Sequence, residues 1–142
     1  MISVIDYGLG NIGSVINSFE KIGVSNIRVV STEKEIKECN TLVLPGVGSF
    51  GHGIDSLRSK GLEDSIKKHI LDDKPFLGIC LGMQLLFSKS YENGEHIGLD
   101  VIPGEVLPFP VDLQLNIPHV GWNNTIKKEL EGNIINNNDY YF

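Results

Sequence analysis

The sequence predicts an α/β protein: an open, doubly wound, mostly parallel sheet with helices on both faces and antiparallel strands added late. Three observations predict it. Short apolar runs alternate with segments of helical spacing from Ile2 to Leu86. Several of these runs end in glycine-rich loops, Gly8-Leu-Gly-Asn-Ile-Gly13, Pro45-Gly-Val-Gly48 and Gly78-Ile-Cys-Leu-Gly82, and loops at the C-terminal ends of parallel strands are where open α/β sheets bind ligands. After Ser90 the pattern loosens into short strand candidates broken by prolines, the mark of hairpins and edge strands.

Taken in order, Ile2 to Ile5 reads as the first strand. Asn11 to Ile22 reads as the first helix, with Ile12, Val15, Ile16, Phe19 and Ile22 on one face and Gly23 as its C-cap. Asn26 to Val30 is the second strand. Thr32-Glu-Lys-Glu35 has the spacing of a capping box and opens a short helix through Glu38. Cys39 reads as structural, and Thr41 to Leu44 as a third, buried strand. Helical segments follow at Ile54 to Ser59 and Leu62 to Leu71, separated by Gly61. His69 shares the spacing of Leu62, Ile66 and Ile70 and so flanks packing, while His52 and His96 fall in loop-like, glycine-containing contexts.

Phe76 to Ile79, an apolar run after Pro75, has the pattern of a strand buried on both faces. From Leu81 the spacing turns helical, placing Leu81, Leu85 and Leu86 on one face of a helix that runs to Ser88. Leu99 to Ile102, Glu105 to Leu107 and Val111 to Ile117 are strand candidates, Asn133 to Asn138 a polar turn, and Asp139 to Phe142 the start of another strand.

A chain of 142 residues suits a single domain with a real core. Its net charge of −6 argues against a nucleic-acid surface. No run reaches the roughly 18 apolar residues of a membrane span, and Met1 to Asp6 lacks the basic start and apolar core of a signal peptide. Two cysteines, Cys39 and Cys80, are too few for a secreted disulfide framework, so a reduced, cytoplasmic setting is expected. No Cys/His/Asp cluster has metal-ligand spacing, and neither a metal nor a cofactor is expected.

Cys80 is the candidate nucleophile. Gly-x-Cys-x-Gly between a strand and a helix is the cysteine form of the nucleophile elbow, in which flanking glycines let two backbones pass closely and the tight turn lifts the reactive atom clear of the sheet. The helix starting beside it favours negative charge on sulfur and offers N–H groups to an oxyanion. Gln84 lies one helical turn beyond Cys80, faces the same mouth and presents an amide to a polar substrate. A rival reading comes from Gly8, Gly10 and Gly13, which match the Gly-x-Gly-x-x-Gly fingerprint of a nucleotide-binding domain, with Glu33 where a ribose-binding acid would sit.

Gly78-Ile-Cys-Leu-Gly-Met-Gln84 resembles the nucleophile segment of class I (triad-type) glutamine amidotransferases. Asp6-Tyr-Gly-Leu-Gly-Asn-Ile12 and Pro118-His-Val-Gly-Trp-Asn123 narrow the resemblance to the glutaminase subunits of imidazole glycerol phosphate synthase, the HisH type. The resemblance implies glutamine amide hydrolysis, with Cys80 as nucleophile and an oxyanion hole built from Val47, Gly48 and Leu81. Gly46 and Gln84 then lie beside the substrate, and Gly10, Asn11, His119 and Trp122 at a partner interface. The implied partner is a (β/α)₈-barrel cyclase. It would use the ammonia to make imidazole glycerol phosphate and an aminoimidazole carboxamide ribotide in histidine biosynthesis.

Glu92 falls in a segment where this family often carries acidic residues. An alternative is a glutaminase serving a cell-surface sugar amidotransferase, which Gly13-Ser-Val-Ile-Asn17 resembles slightly more. A further alternative is a catalytically silent binding subunit. The family's catalytic His and Glu lie in a His-Pro-Glu motif that this sequence does not contain, and Tyr140-Tyr-Phe142 resembles the start of a strand preceding it. The chain is therefore expected to be the N-terminal portion of such a domain, inactive by itself.

Overall fold

The computed structural model describes residues 1–110, 120–124 and 139–141. Its elements are β1 (Ile2–Ile5), α1 (Ile12–Lys21), β2 (Ile27–Val30), α2 (Glu33–Lys37), β3 (Leu42–Leu44), α3 (Phe50–Ser59), α4 (Glu63–Leu71), β4 (Phe76–Gly78), α5 (Leu81–Gln84), β5 (Phe87–Ser90), β6 (His96–Ile97), β7 (Ile102–Val106), β8 (Trp122–Asn124) and β9 (Asp139–Tyr141). The chain forms two compact units, Met1–Pro108 and Phe109–Phe142.

In the first unit β1 to β4 form one parallel sheet in the order β2-β1-β3-β4. The expected α/β class is borne out, and so is the late arrival of antiparallel pairing. The chain steps from β1 to β2 in one direction and from β2 past β1 to β3 in the other. Right-handed crossovers then put α1 on one face and α2, α3 and α4 on the opposite face.

Local chemistry accounts for the helix ends. The Asn11 side chain accepts from Ser14 N–H and starts α1. At α2 the capping box forms in full, with Thr32 and Glu35 exchanging bonds. The Glu35 carboxyl is held below its ordinary pKa by the N–H of Ser31 and by Thr32. Cys39 is structural as expected: buried, its thiol meets the Arg28 guanidinium and the Glu35 carbonyl.

The core lies on the face of α2, α3 and α4, where Ile5, Leu42 and Leu44 meet Ile36, Phe50, Ile54, Leu57, Leu62 and Ile66. The other face is less sheltered. No residue of α1 is buried, although its apolar stripe has the expected register. Ser14, Val15, Ser18 and Phe19 of that helix, with Ile22 just after it and Ile79, frame an apolar hollow of about 410 Å³. This corrects the reading of Phe76 to Ile79 as a strand buried on both faces. Among the described strands β4 is an edge, and Leu77 is 41% exposed.

A second correction concerns the helix expected to reach Ser88. It stops at Gln84, and Phe87–Ser90 is a strand paired antiparallel to β6 and parallel to β7. The Leu85 and Leu86 carbonyls accept from the N–H groups of Leu99, Val101 and Ile102, which offers them partners outside the helix. Leu81, Leu85 and Leu86 are nonetheless buried together. Ile102–Val106 forms one strand through Pro103 and Gly104, where two separate candidates were expected. In the second unit β8 pairs antiparallel with β9, so the strand expected at Asp139 is present. The candidates at 111–117 and 133–138 lie outside the described residues.

Candidate active site

Parallel register aligns the ends of β1, β3 and β4, with Val4 beside Val43 and Leu44 beside Gly78. The loops that follow these strands therefore leave the sheet at the same edge. At the switch point between β1 and β3, where crossovers diverge, such loops form a crevice.

Cys80 stands at the joint of β4 and α5 with φ 54° and ψ −119°, and its side chain is exposed. A non-glycine residue in that region costs on the order of 1–3 kcal/mol and persists only where its surroundings over-determine it. Here they do. Ile79 N–H donates to the Leu44 carbonyl at 2.9 Å, and Gly82 N–H to the Ile79 carbonyl at 3.0 Å. The N–H groups of Met83 and Gln84 both turn back to the Cys80 carbonyl. A methyl group on Gly82 would fall onto the Leu44 carbonyl, and one on Gly78 would meet Met83 Cα at 2.8 Å. Both glycines of the motif are thus required for the close approach that the spacing implied.

The helix beside the thiol is a single turn, Leu81–Gln84, so the expected contribution of a helix dipole shrinks to that of its first N–H groups. Local bonds engage those of Gly82, Met83 and Gln84 and leave the Leu81 N–H outside them. Gln84, half-buried, follows Cys80 by one turn as its spacing required.

The Pro45–Gly48 loop packs on this elbow. A methyl group on Gly46 would lie 2.5 Å from Tyr7 Oη, 2.7 Å from Gly82 N and 2.8 Å from Leu81 Cβ. Gly48 has φ +98°, a left-handed geometry that favours glycine. Val47 N–H donates to the Leu9 carbonyl at 3.4 Å, a long bond that joins the β3 loop to the β1 loop. Gly10 lies against the Pro45 ring, and the side chain of Asn11 is committed to capping α1. Gly10, Asn11, Gly46, Val47, Gly48, Cys80, Leu81 and Gln84 are in this way gathered at one sheet edge.

Two residues at this edge escaped the sequence reading. Tyr7 is fully buried, its carbonyl accepts from Ser56 Oγ, and its hydroxyl has no partner among the described residues. Burial, with the nearby Cys80 charge as a second cause, pushes its phenol up to about 12. Glu92, noted only for lying in an acidic segment, reaches from the β5–β6 connection to accept Phe50 N–H at 2.6 Å. Ser49, the residue before α3, makes no side-chain cap, so Glu92 supplies it and fixes the far end of the Pro45–Gly48 loop. Nothing local signals a bond between residues 42 apart.

The remaining candidates sit elsewhere. His69 is buried and its ring Nε2 donates to the Pro75 carbonyl, at the opposite end of β4 from Cys80. Contrary to the loop contexts expected for them, His52 lies exposed on α3 and His96 on β6, where His96 covers Gly51 and Phe50. No hydrogen bond or ion pair joins any of these three to Cys80. Trp122, expected in a loop, is in β8 of the second unit and exposed. His119 lies outside the described residues.

The nucleotide fingerprint loses its physical basis. Its third glycine, Gly13, sits on the exposed side of α1 with open space around it, where close helix–strand packing was required. Glu33 pairs with Lys37 on the surface. Among the described residues no group of three His, Cys, Asp or Glu side chains is placed to hold a metal ion.

Comparison with known proteins agrees with this geometry. The family model described as glutamine amidotransferase class-I matches residues 3–141. The imidazole glycerol phosphate synthase subunit HisH of Aquifex aeolicus is 50% identical over 129 residues, covering 90% of this chain and 61% of that protein. The subunit of the same name from Caldanaerobacter subterraneus subsp. tengcongensis is 48% identical over 146 residues, covering 100% of this chain and 70% of that protein. The subunit HisH 1 of Campylobacter jejuni is 44% identical over 146 residues and covered to 72%. The chain spans 61 to 63% of the length of the first three curated relatives it matches.

Proposed function

Because the chain belongs to the class-I glutamine amidotransferase family, we propose that it carries the nucleophile and oxyanion loop of a glutaminase that supplies ammonia to a synthase partner. The observation that carries this reading is Cys80, held exposed at φ 54° between two obligatory glycines and beside a second glycine loop.

The Cys80 thiolate attacks the side-chain amide carbon of glutamine. A C–S bond forms and the carbonyl π electrons move to oxygen. The oxyanion is received by the N–H of Leu81 and, once it turns inward, that of Val47, with Gly48 providing the freedom to turn. Collapse expels ammonia with a proton from a general acid and leaves a γ-glutamyl thioester, which water cleaves to glutamate and free thiol. Gln84 and the Gly46 backbone orient the glutamine.

Ammonia released into bulk solvent would be protonated and lost, so a dedicated partner that receives it directly is the economical arrangement. By likeness to the named synthase subunits, that partner is a barrel cyclase. The products would be imidazole glycerol phosphate and an aminoimidazole carboxamide ribotide of histidine biosynthesis, made in the cytoplasm by a heterodimer. Gly10 and Asn11 lie at the edge where the partner would dock, and likeness to those subunits favours partner contact for His119 and Trp122.

The test is Cys80→Ala in the full-length protein with its partner. Glutamine-dependent synthesis should vanish while ammonia-dependent synthesis by the partner persists, since only ammonia supply uses the thiol. Loss of both activities at unchanged stability would sink the assignment.

A further inference from the structure

The β5–β6 connection, residues 91–95, is held at its ends and free at its tip. Glu92 accepts Phe50 N–H at 2.6 Å and its own N–H donates to Ser90 Oγ, while Glu95 pairs with Lys89. Between these anchors stand Asn93 and Gly94, both exposed, with φ 55° and 128°. Among the described residues, neither the Asn93 side-chain amide nor the Gly94 N–H has a hydrogen-bond partner. Such a tip opens locally at little cost.

An asparagine side-chain amide can be attacked by the backbone nitrogen of the residue that follows it. A branched side chain on that residue crowds the nitrogen, and a helical backbone holds it in place. Both obstacles meet the other asparagines of the first unit. Asn11 and Asn26 precede Ile, Asn40 precedes Thr, and Asn17 lies within α1. Asn93 precedes a glycine, in the one Asn-Gly pair of the 142 residues.

We propose that Asn93–Gly94 is a self-modification site, at which conversion to isoaspartate undoes the Glu92 cap on α3. The Gly94 nitrogen gives its proton to solvent base and bonds to Asn93 Cγ. The Cγ–Nδ2 bond breaks, and ammonia leaves with a proton from water. Water then opens the resulting succinimide. Cleavage between the Gly94 nitrogen and the Asn93 main-chain carbonyl carbon routes the backbone through Cγ and gives isoaspartate; cleavage at Cγ gives aspartate. The net change is one water in and one ammonia out, with no electron transfer. Isoaspartate adds a methylene to the backbone and a carboxylate to the turn, directly after Glu92. The cap depends on one carboxylate reaching a backbone N–H 42 residues away, and Ser49 supplies no side-chain cap in its place. Its loss frees the far end of the Pro45–Gly48 loop, a consequence for turnover that rests on the glutaminase reading given above.

The experiment compares wild type with Asn93→Gly, both full-length, fresh and after ageing at mildly alkaline pH, then assayed in the synthase complex. Glycine accepts the left-handed φ and has no amide to cyclise. Peptide mass spectrometry and methyl transfer by a protein-isoaspartate methyltransferase read the modification. Wild type should convert at Asn93 ahead of Asn11, Asn17, Asn26 and Asn40. Its converted fraction should lose about fivefold in glutamine-dependent kcat, the usual worth of a helix cap, and melt at a lower temperature. Ammonia-dependent synthesis by the partner should persist, and Asn93→Gly should keep its turnover through the same ageing.

Conversion at Asn93 no faster than at the other asparagines would overturn the site. Conversion at unchanged kcat and melting temperature would overturn its link to Glu92, as would an equal loss in aged Asn93→Gly. Glutamine hydrolysis that survives Cys80→Ala in fresh protein would instead strike the glutaminase reading itself.

Discussion

At Cys80 the proposed catalysis and stability pull in opposite directions. A left-handed φ of 54° with ψ −119° is glycine territory, yet a proposed nucleophile here must carry sulfur. Cys80→Gly is expected to be more stable than Cys80→Ala by about 1 kcal/mol, with both variants inactive, although glycine usually costs ~0.5–1 kcal/mol relative to alanine within regular structure. Denaturant unfolding of the two proteins measures this, and a glycine variant no more stable than the alanine one would mean that no strain resides there.

His69 offers a test by pH. Burial lowers its pKa from 6.5, outweighing the Pro75 carbonyl that favours its charged form; Lys74 opposes that form and Asp72 favours it. The unfolded chain therefore binds the proton more readily, so the contribution is fully present above about 6.5 and drains as pH falls below it. The melting temperature of wild type should drop more steeply between about pH 7.5 and 5.5 than that of His69→Gln, which keeps an N–H for Pro75. Parallel slopes would refute this.

Among the elements, the loops after β1 and β3 would, on the proposed reading, decide activity more than any helix or strand. One end of the Pro45–Gly48 loop is fastened by the Glu92 cap on α3, and the middle is tied to Leu9 by a single long bond. The tie directs the Val47 N–H to the Leu9 carbonyl. On the proposed reading, a subunit resting in this state is short of one oxyanion donor, a loss worth roughly 10²–10³ in kcat. The isolated full-length subunit should hydrolyse glutamine at least about a hundredfold more slowly than it does with partner and acceptor bound. Contact at the neighbouring Gly10–Asn11 segment is the means by which the partner would release Leu9. Full turnover by the subunit alone would contradict this picture.

For the whole molecule, the proposed nucleophile sets a requirement for a base. A cysteine nucleophile of this type needs a histidine within reach and a group to orient it. Of the described histidines, His69 is engaged at the far end of β4, His96 covers Gly51, and His52 is exposed on α3. None of the three is joined to Cys80, and His119, outside the described residues, is the first to mutate in a search for the base.

The sequence by itself determined what depends on near neighbours. The capping box at Thr32 and Glu35 is legible because its bonds span three residues, and α1 because Asn11 and Gly23 punctuate an apolar stripe. The elbow is legible because Gly78 and Gly82 are themselves the geometric requirement for a strained Cys80. Only the tertiary structure decided the rest. Phe87–Ser90 looked helical by continuation, but the carbonyls before it are met by N–H groups of residues 99 to 102. Apolar composition predicted burial for Leu77, yet among the described residues it lies on an edge strand and is exposed. The Glu92 cap and the seat of the Tyr7 hydroxyl against Gly46 join segments far apart in the chain. Periodicity and short motifs record which face a residue presents and which turns are permitted; they carry no record of which distant backbone group will meet it there.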